Sequence, residues 1–228
     1  MIEPSVLHED RQWLVLNKPA GWHCVETKHT DGRPVVETWI RDNLEACKEL
    51  PEAGLCHRLD LGTTGCLVVA KWRPIRERLR RAMSGDPAAR PTKKSYLALV
   101  HPGLPPAGRF ELYFHGHEAK VRTSEQGNEE QKGICRWKLI RAAQPPASGA
   151  EEFDTVEIEL LGPGRRHQIR AGLAHFGYPL VDDQSYGGTP WPAGTGFAAL
   201  HAHCITLDGT TVIAAPPDSW SIQDPCSD

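Results

Sequence analysis

The 228-residue sequence predicts an α+β fold with a mixed, largely antiparallel sheet. Three observations lead to this prediction. Short segments that are apolar, or that alternate between apolar and polar residues, recur along the chain and predict β-strands. About three other segments have apolar residues at helical spacing, and long polar connections separate the elements. Strands and helices mixed in this way are typical of the α+β class.

In the first part of the chain, residues 6–8 and 13–16 are apolar segments on either side of a polar turn, and they predict two strands. Residues 35–50 carry apolar side chains at nearly helical spacing between two prolines, which predicts an amphipathic helix. Residues 66–69 are β-branched or otherwise apolar and predict a buried strand. A short arginine-rich helix is expected over residues 75–83.

In the second part, residues 93–100 predict a strand with alternate side chains on one face. Residues 165–176 have an apolar face at helical spacing and predict a helix that ends at Gly177. Further strands are expected at residues 110–114, 119–123, 134–139, 156–161 and 200–207.

Composition places the chain among globular proteins, with 39% hydrophobic and 24% charged residues. It contains no apolar run of the roughly 20 residues that a membrane-spanning helix needs, and no signal-peptide pattern at its start. Seven cysteines without a Cys-x-x-Cys pair indicate free thiols in a reducing compartment. We therefore expect a cytoplasmic monomer, with one domain over residues 1–228 and no metal or other cofactor.

Basic residues are concentrated in one stretch of a chain whose net charge is −3. Residues 57–94 contain ten Lys or Arg against three acids, a local excess of +7. Such a stretch can bind a phosphate backbone, although a solvated basic helix face would have the same composition.

Asp60 lies at the start of a Gly-Thr-Thr-Gly turn that leads into the predicted buried strand. Gly62 and Gly65 can adopt a positive φ, which a sharp reversal needs. A carboxylate on such a loop can be held rigidly and partly desolvated, as catalytic carboxylates are. An aspartate here can equally be a turn former, so the local pattern leaves both interpretations open.

Residues 57–71, HRLDLGTTGCLVVAK, resemble the signature of the RluA family of RNA pseudouridine synthases, with Thr64 where Ser is usual. A second resemblance covers Gly-Arg-Arg-His-Gln-Ile-Arg at 164–170 and Asp-Gln-Ser-Tyr-Gly at 183–187. The chain departs from the family pattern at Ala171-Gly172, which replaces an apolar-His pair, and at Asp182, where Gly is usual. The resemblance extends over essentially the whole chain.

This resemblance implies a central antiparallel sheet with flanking helices and a cleft, and formation of pseudouridine without a cofactor. It assigns Asp60 as the catalytic carboxylate, which either attacks C1′ of the ribose or abstracts a ribose proton. Arg170 would be its cationic partner, and Tyr96 would stack on the uracil.

The resemblance also implies residues that contact RNA. Arg58 would occupy the space left by the displaced base, with His57 in support. Ile169 would line the base pocket, and Arg165 would be a second cation. Lysines and the arginines of residues 73–81 would contact phosphates or border the cleft. The lysines expected at phosphates are Lys71, Lys93 and Lys94, and Lys18 lies in the turn expected at the edge of the cleft.

The expected partner is a stem-loop of tRNA or rRNA. A non-catalytic RNA-binding or chaperone protein with the same fold is the main alternative. A hydrolase with Asp60 as nucleophile is a second alternative, but it would need an activated water and usually another acid or a metal. His115 and His117 lack a third ligand at a recognised metal-binding spacing, so no metal site is expected.

Overall fold

The computed structural model describes residues 2–27, 30–116, 120–143 and 153–220. These residues form two compact units. The first unit contains the described residues up to 94 together with 202–215, and the second contains the described residues of 95–201 together with 216–220. Within the described residues, ten strands in antiparallel pairings and three α-helices confirm the predicted α+β class.

The elements follow the predicted order along the chain. The strands are β1 Ser5–Glu9, β2 Trp13–Lys18, β3 Thr64–Ala70, β4 Lys93–Val100, β5 Ala107–His115, β6 Arg122–Ser124, β7 Lys132–Arg141, β8 Asp154–Leu161, β9 Leu200–Leu207 and β10 Thr210–Ile213. The helices are α1 Val36–Asn43, α2 Arg73–Met83 and α3 Gln168–His175. None of the helices in the described ranges is long and apolar enough to cross a lipid bilayer.

The first unit is built on β2 and β3, which pair antiparallel from Trp13 opposite Ala70 to Lys18 opposite Gly65. Strand β1 pairs with the other edge of β2, β9 is the neighbour of β3, and β10 pairs with β9. Most side chains of β2 and β3 are buried, which explains why these strands read as apolar runs rather than as alternating ones. Helix α2 lies against β3 and buries Leu79.

The second unit contains the strand order β4-β8-β7-β5-β6, with antiparallel pairing throughout. Helix α3 packs near β5 and β6, and Gly172 of this helix faces the ring of Phe110. A Cβ atom on Gly172 would lie 2.2 Å from Cζ of Phe110. The Ala171-Gly172 departure from the family pattern therefore makes room for an aromatic side chain from β5.

Three differences from the sequence-based prediction have local causes. Helix α1 ends seven residues earlier than predicted, where the Asn43 side chain donates a hydrogen bond to the Trp39 carbonyl and so competes with the helical backbone. Helix α3 starts three residues late, because His167 before it has φ +52. Strand β10 was not predicted, although Asp208-Gly209 is a type I′ hairpin signal and both residues have positive φ.

Candidate active site

Asp60 lies on a tight turn of the first unit, immediately before β3. Its carbonyl accepts a hydrogen bond from the Thr63 N–H at 3.0 Å, which closes the turn. The next carbonyl, of Leu61, accepts the N–H of Gly21 at 3.0 Å. The side chain of Asp60 is half-buried. The backbone of this segment is thus fixed both within the turn and by the loop that follows β2.

Lys18 is the last residue of β2, and its side chain holds the same turn through hydrogen bonds. Its side chain is 0% exposed, and Nζ donates to the carbonyls of Pro19 at 3.1 Å, Leu61 at 3.1 Å and Thr63 at 2.8 Å. Burial lowers the pKa of Lys18 to about 8, while the Cys24 and Asp60 side chains act to raise it. All three donors of the ammonium are used by protein carbonyls. Lys18 therefore positions the turn, and its expected contact with substrate stays a prediction.

Cys24 holds the residue before Asp60. Its Sγ donates to the Leu59 carbonyl at 3.3 Å and accepts the Leu59 N–H at 3.2 Å. Burial raises the pKa of this thiol, so it remains protonated and able to donate. Sequence reasoning did not identify this contact, because no spacing rule links residues 24 and 59.

Gly65 confirms the expectation of a positive φ in the turn, with φ +101. Gly62 does not have a positive φ, so the reversal depends on the second glycine alone. A Cβ atom on Gly65 would lie 2.3 Å from the carbonyl oxygen of Ala202. Strand β3 therefore begins where only glycine allows β9 to approach.

His57 and Arg58 precede the turn and differ in their surroundings. Nε2 of His57 accepts the Val68 N–H at 3.0 Å, which requires that this nitrogen be unprotonated. Burial lowers the pKa of His57 to about 3, and the Lys94 ammonium acts in the same direction. Arg58 is exposed and makes no hydrogen bond or ion pair with the described residues. His57 thus braces β3, whereas the guanidinium of Arg58 is available to a ligand.

Two lysines that were expected to contact phosphates bind protein groups. Lys94 is buried and donates to the Met83 carbonyl at the end of α2, at 3.0 Å. Lys71 forms an ion pair with Glu9 at 2.6 Å and donates to the Asp10 carbonyl at 2.5 Å. Any contact of either lysine with phosphate stays a prediction.

Arg170 lies on α3 in the second unit and forms a bidentate pair with Asp183. Its Nε and Nη2 lie 2.7 and 2.8 Å from the two carboxylate oxygens, and the Asp183 side chain is 1% exposed. The guanidinium carbon also lies 5.3 Å from the centre of the Tyr186 ring. A planar guanidinium held on an edge by a carboxylate and on a face by an aromatic ring has little rotational freedom.

Tyr186 was not among the predicted site residues, although it belongs to the Asp-Gln-Ser-Tyr-Gly segment. Its hydroxyl accepts the Val121 N–H at 2.8 Å and lies 2.9 Å from Nδ1 of His167. His167 has a positive φ at the start of α3, so these contacts fix the point where the helix begins. Asp183 and Tyr186 together position Arg170.

The other predicted site residues of the second unit differ in their burial and hydrogen bonds. Tyr96 is mostly buried in β4 opposite Ile158, and Ile169 is buried on α3. The Arg165 side chain donates through Nε to the Lys132 carbonyl at 2.7 Å. The backbone N–H of Arg165 donates to Oε1 of Gln168 at 2.7 Å. The structure thus brings Arg165, Ile169 and Arg170 together on and beside α3.

The histidines considered as metal ligands have other surroundings. Nε2 of His115 lies 2.7 Å from Oγ of Ser124, and His117 is outside the described residues. In the part of the chain that the structure covers, no three His, Cys, Asp or Glu side chains are grouped so as to hold a metal ion.

Comparison with solved structures supports the same architecture. The structure of human RNA pseudouridylate synthase domain containing 4 superposes with a TM-score of 0.69 at 19% identity, over 95% of this chain and 90% of that one. Human RNA pseudouridylate synthase domain containing 1 gives a TM-score of 0.65 at 20% identity, over 94% and 83% of the two chains. These proteins share the fold of this chain.

Comparison of sequences identifies relatives in bacteria. Ribosomal large subunit pseudouridine synthase D of Yersinia pestis is 29% identical over 188 residues, which are 82% of this chain and 54% of the relative. The protein of the same name from Xylella fastidiosa is 30% identical over 186 residues, 81% of this chain and 52% of the relative. The chain spans about half the length of these curated relatives. A sequence model of the RNA pseudouridylate synthase family matches residues 12–175, which include the Asp60 turn and α3. The chain belongs to the RNA pseudouridylate synthase family.

Proposed function

We propose that this chain is an isomerase that converts specific uridines of RNA to pseudouridine, with Asp60 as its catalytic carboxylate. The observation that carries the proposal is the anchored Asp60 turn within the family match. Lys18 and Cys24 hold the backbone on both sides of Asp60 through four hydrogen bonds, to Leu59, Leu61 and Thr63. A carboxylate on a backbone fixed in this way can be presented to a substrate without further ordering.

Pseudouridine formation detaches uracil from C1′ of its ribose and rejoins it through C5. The base must first leave its stack, which costs a few kcal/mol. One carboxylate is then needed at the sugar, either as a nucleophile at C1′ or as a base for a ribose proton. The buried ammonium of Lys18 interacts electrostatically with Asp60.

We assign roles to three other residues from the resemblance, supported by their surroundings. Arg58 is exposed beside the turn, so its guanidinium can enter the space that the displaced base leaves. Tyr96 offers a flat ring for the uracil. Arg170 supplies positive charge, and its contacts with Asp183 and Tyr186 would hold that charge in one place during the reaction.

Ribosomal RNA is our first choice of substrate, because the curated relatives are named for the large ribosomal subunit. A tRNA stem-loop is the second. We propose that the chain acts as a cytoplasmic monomer. We also propose that its two units work as one catalytic domain, because the family match runs from residue 12 to residue 175.

The test is to incubate the chain with unmodified large-subunit rRNA, and separately with unmodified tRNA, and to map pseudouridine by chemical labelling. We expect new pseudouridine with the wild-type chain and none with Asp60→Asn. Asp42→Asn is the matched control, since Asp42 is an exposed acid on α1 of the same unit, and it should retain activity. Binding of either RNA without pseudouridine formation by the wild-type chain would favour the non-catalytic RNA-binding protein.

A further inference from the structure

We propose that the surface around Trp72 and helix α2 is a second RNA-binding site, at which Trp72 stacks on a base and arginines contact the flanking phosphates. This site is separate from the Asp60 turn and lies entirely within the first unit. The inference rests on the proposed function in one respect, namely that the ligand is the RNA substrate.

Trp72 is a large aromatic side chain left in solvent. It is 62% exposed, although it lies two residues after a strand whose side chains are almost all buried. Its Nε1 donates to the Arg11 carbonyl at 3.2 Å, so the indole is held by its edge. An anchored indole costs little conformational entropy when a second ring stacks on it, and exposed aromatic rings of this kind bind single-stranded nucleic acid.

Trp72 directly precedes α2, which carries two arginines with few internal partners. Arg73 follows Trp72, with a side chain 74% exposed, and Arg81 is exposed on the same outer face of α2. Arg81 forms no ion pair with any residue in the described ranges, and Arg73 has only a weakly held partner in Glu77, at 3.3 Å. A surface cleft of about 380 Å³ is lined by Gln12, Arg78, Arg90 and Asp208, and both of its arginines lie within 4 Å of the Asp208 carboxylate, so it adds little free positive charge.

Not every arginine of α2 is available to a ligand. Arg76 and Arg80 both pair with Glu52, at 2.5 and 2.9 Å, and Arg78 pairs with Asp208 at 2.7 Å. These pairs fix the helix to its own unit. The phosphate contacts are therefore assigned to Arg73 and Arg81, which have the fewest internal partners.

Strand β3 sets the separation between the second site and Asp60. Asp60 precedes the first residue of β3, and Trp72 follows its last residue. Seven strand residues place the two sites on the order of 20 Å apart. An RNA that reaches both must extend about six stacked nucleotides beyond the target uridine, at ~3.4 Å per step.

The combination of groups favours nucleic acid over an acidic protein. Arginines alone would attract any polyanion, but the anchored indole adds a flat surface on which a nucleobase can stack. An abasic chain carries the same phosphate charge without the rings, so the two contributions can be measured separately.

The test is the affinity of the 228-residue chain for labelled oligoadenylates, with fluorescence anisotropy as the readout. Trp72→Ala should weaken binding of an oligomer of about fifteen nucleotides by roughly 5- to 150-fold, whereas Trp72→Phe should retain most of it. Neither change should affect binding of an abasic chain of equal length. On an oligomer of about five nucleotides the Trp72→Ala effect should also persist, because the stack itself needs only one base.

The charge part has its own control. The double variant Arg73→Glu, Arg81→Glu should reduce the slope of log affinity against log salt by about 1.4, since each single-strand phosphate contact contributes about 0.7. Arg109→Glu, a change at a 59% exposed arginine of β5, should leave that slope unchanged. Equal salt slopes for the wild type, the double variant and Arg109→Glu would overturn the proposal. An affinity of Trp72→Ala for the oligoadenylate equal to that of the wild type would also overturn it. A loss of polyglutamate binding equal to the loss of RNA binding would overturn it in favour of an acidic protein.

Failure of the second site is distinguishable from failure of the proposed function. If the wild-type chain forms no pseudouridine but binding still depends on Trp72, the site is upheld and the catalytic proposal fails. If pseudouridine forms and Trp72→Ala changes neither affinity nor kcat/KM on long rRNA fragments, the catalytic proposal is upheld and the second site fails.

Discussion

At the scale of single residues, Lys18 is a fully buried charged group at the candidate site. A lysine without solvent contact is rare unless its charge is satisfied, and here three carbonyls satisfy it. Two of those carbonyls belong to the Asp60 turn. The same side chain therefore links the end of β2 to the position of Asp60.

The pKa of Lys18 predicts how stability depends on pH. Burial lowers this pKa from 10.5 to about 8. Between these two pH values, Lys18 is therefore protonated in a smaller fraction of the folded chains than of the unfolded chains. The group therefore adds stability as pH rises from about 8 to 10.5, by up to about 3 kcal/mol. The Lys18→Met chain lacks this contribution. We would measure urea unfolding of both chains at a series of pH values. The free energy of unfolding of the wild type, minus that of Lys18→Met, should increase across that range. A difference independent of pH would contradict the prediction.

Gly65 predicts a large effect from one methyl group. In Gly65→Ala the new Cβ meets the Ala202 carbonyl oxygen and the backbone keeps an unfavourable φ. We expect a loss of at least about 2 kcal/mol in the free energy of unfolding. Gly32→Ala is the matched control, because Gly32 has φ +69 but open space around it, and it should cost about 1 kcal/mol. Equal losses would mean that φ alone accounts for the effect at Gly65.

At the scale of elements, α3 and the segment after it form one arrangement around Arg170. Asp183→Asn removes the buried carboxylate and leaves the guanidinium without its paired charge. We expect a loss of about 2–4 kcal/mol in urea unfolding. Glu159→Gln is the control, since its partner Arg136 is 61% exposed and the change should cost less than about 1 kcal/mol. A loss no larger than that of the control would show that Arg170 is held without Asp183.

The elements that sequence predicted best are those with a simple local signal. Strand β4 has the predicted bounds, and β8 and β9 agree to within two residues, because alternation or continuous apolar character marks them directly. Helix α1 was predicted too long, since the apolar spacing continues past Asn43 while the backbone does not. The end of α1 depends on a side-chain hydrogen bond that periodicity does not contain.

The candidate site was predictable only in part. Sequence alone located Asp60 on a turn before a buried strand, and the structure has it there. It could not supply the groups that hold the turn, because Lys18 and Cys24 reach it across 35 or more residues. The same limit applies to Asp183, whose pairing with Arg170 follows from how the chain turns after α3.

At the scale of the whole molecule, net charge is a poor guide to the surface. The local excess of +7 in residues 57–94 predicted a basic face, but acids distant in sequence neutralise part of it. Glu52 pairs with two arginines of α2, and Asp208 pairs with a third. Among the arginines of α2, Arg73 and Arg81 keep the fewest internal partners, a difference that composition alone could not show.

The cysteines predict how the folded molecule protects its thiols. Of the six described cysteines, five are buried and Cys204 is half-buried, and all six are thiols rather than disulfides. Burial raises the pKa of both Cys56 and Cys66 to about 12, so little of the reactive thiolate forms at neutral pH. In a Cys226→Ser chain, which removes the one cysteine outside the described residues, a thiol-specific reagent should therefore label Cys204 first. The other five should react only as fast as the chain opens.

The control for this prediction is the further change Cys204→Ser, which should abolish the fast phase and leave the slow one. Denaturant should make all remaining thiols react in a single fast phase. The slow phase should also accelerate in Gly65→Ala, because a destabilised fold opens more often. Fast labelling of more than one thiol in the folded Cys226→Ser chain would contradict the buried positions of Cys24, Cys47, Cys56, Cys66 and Cys135.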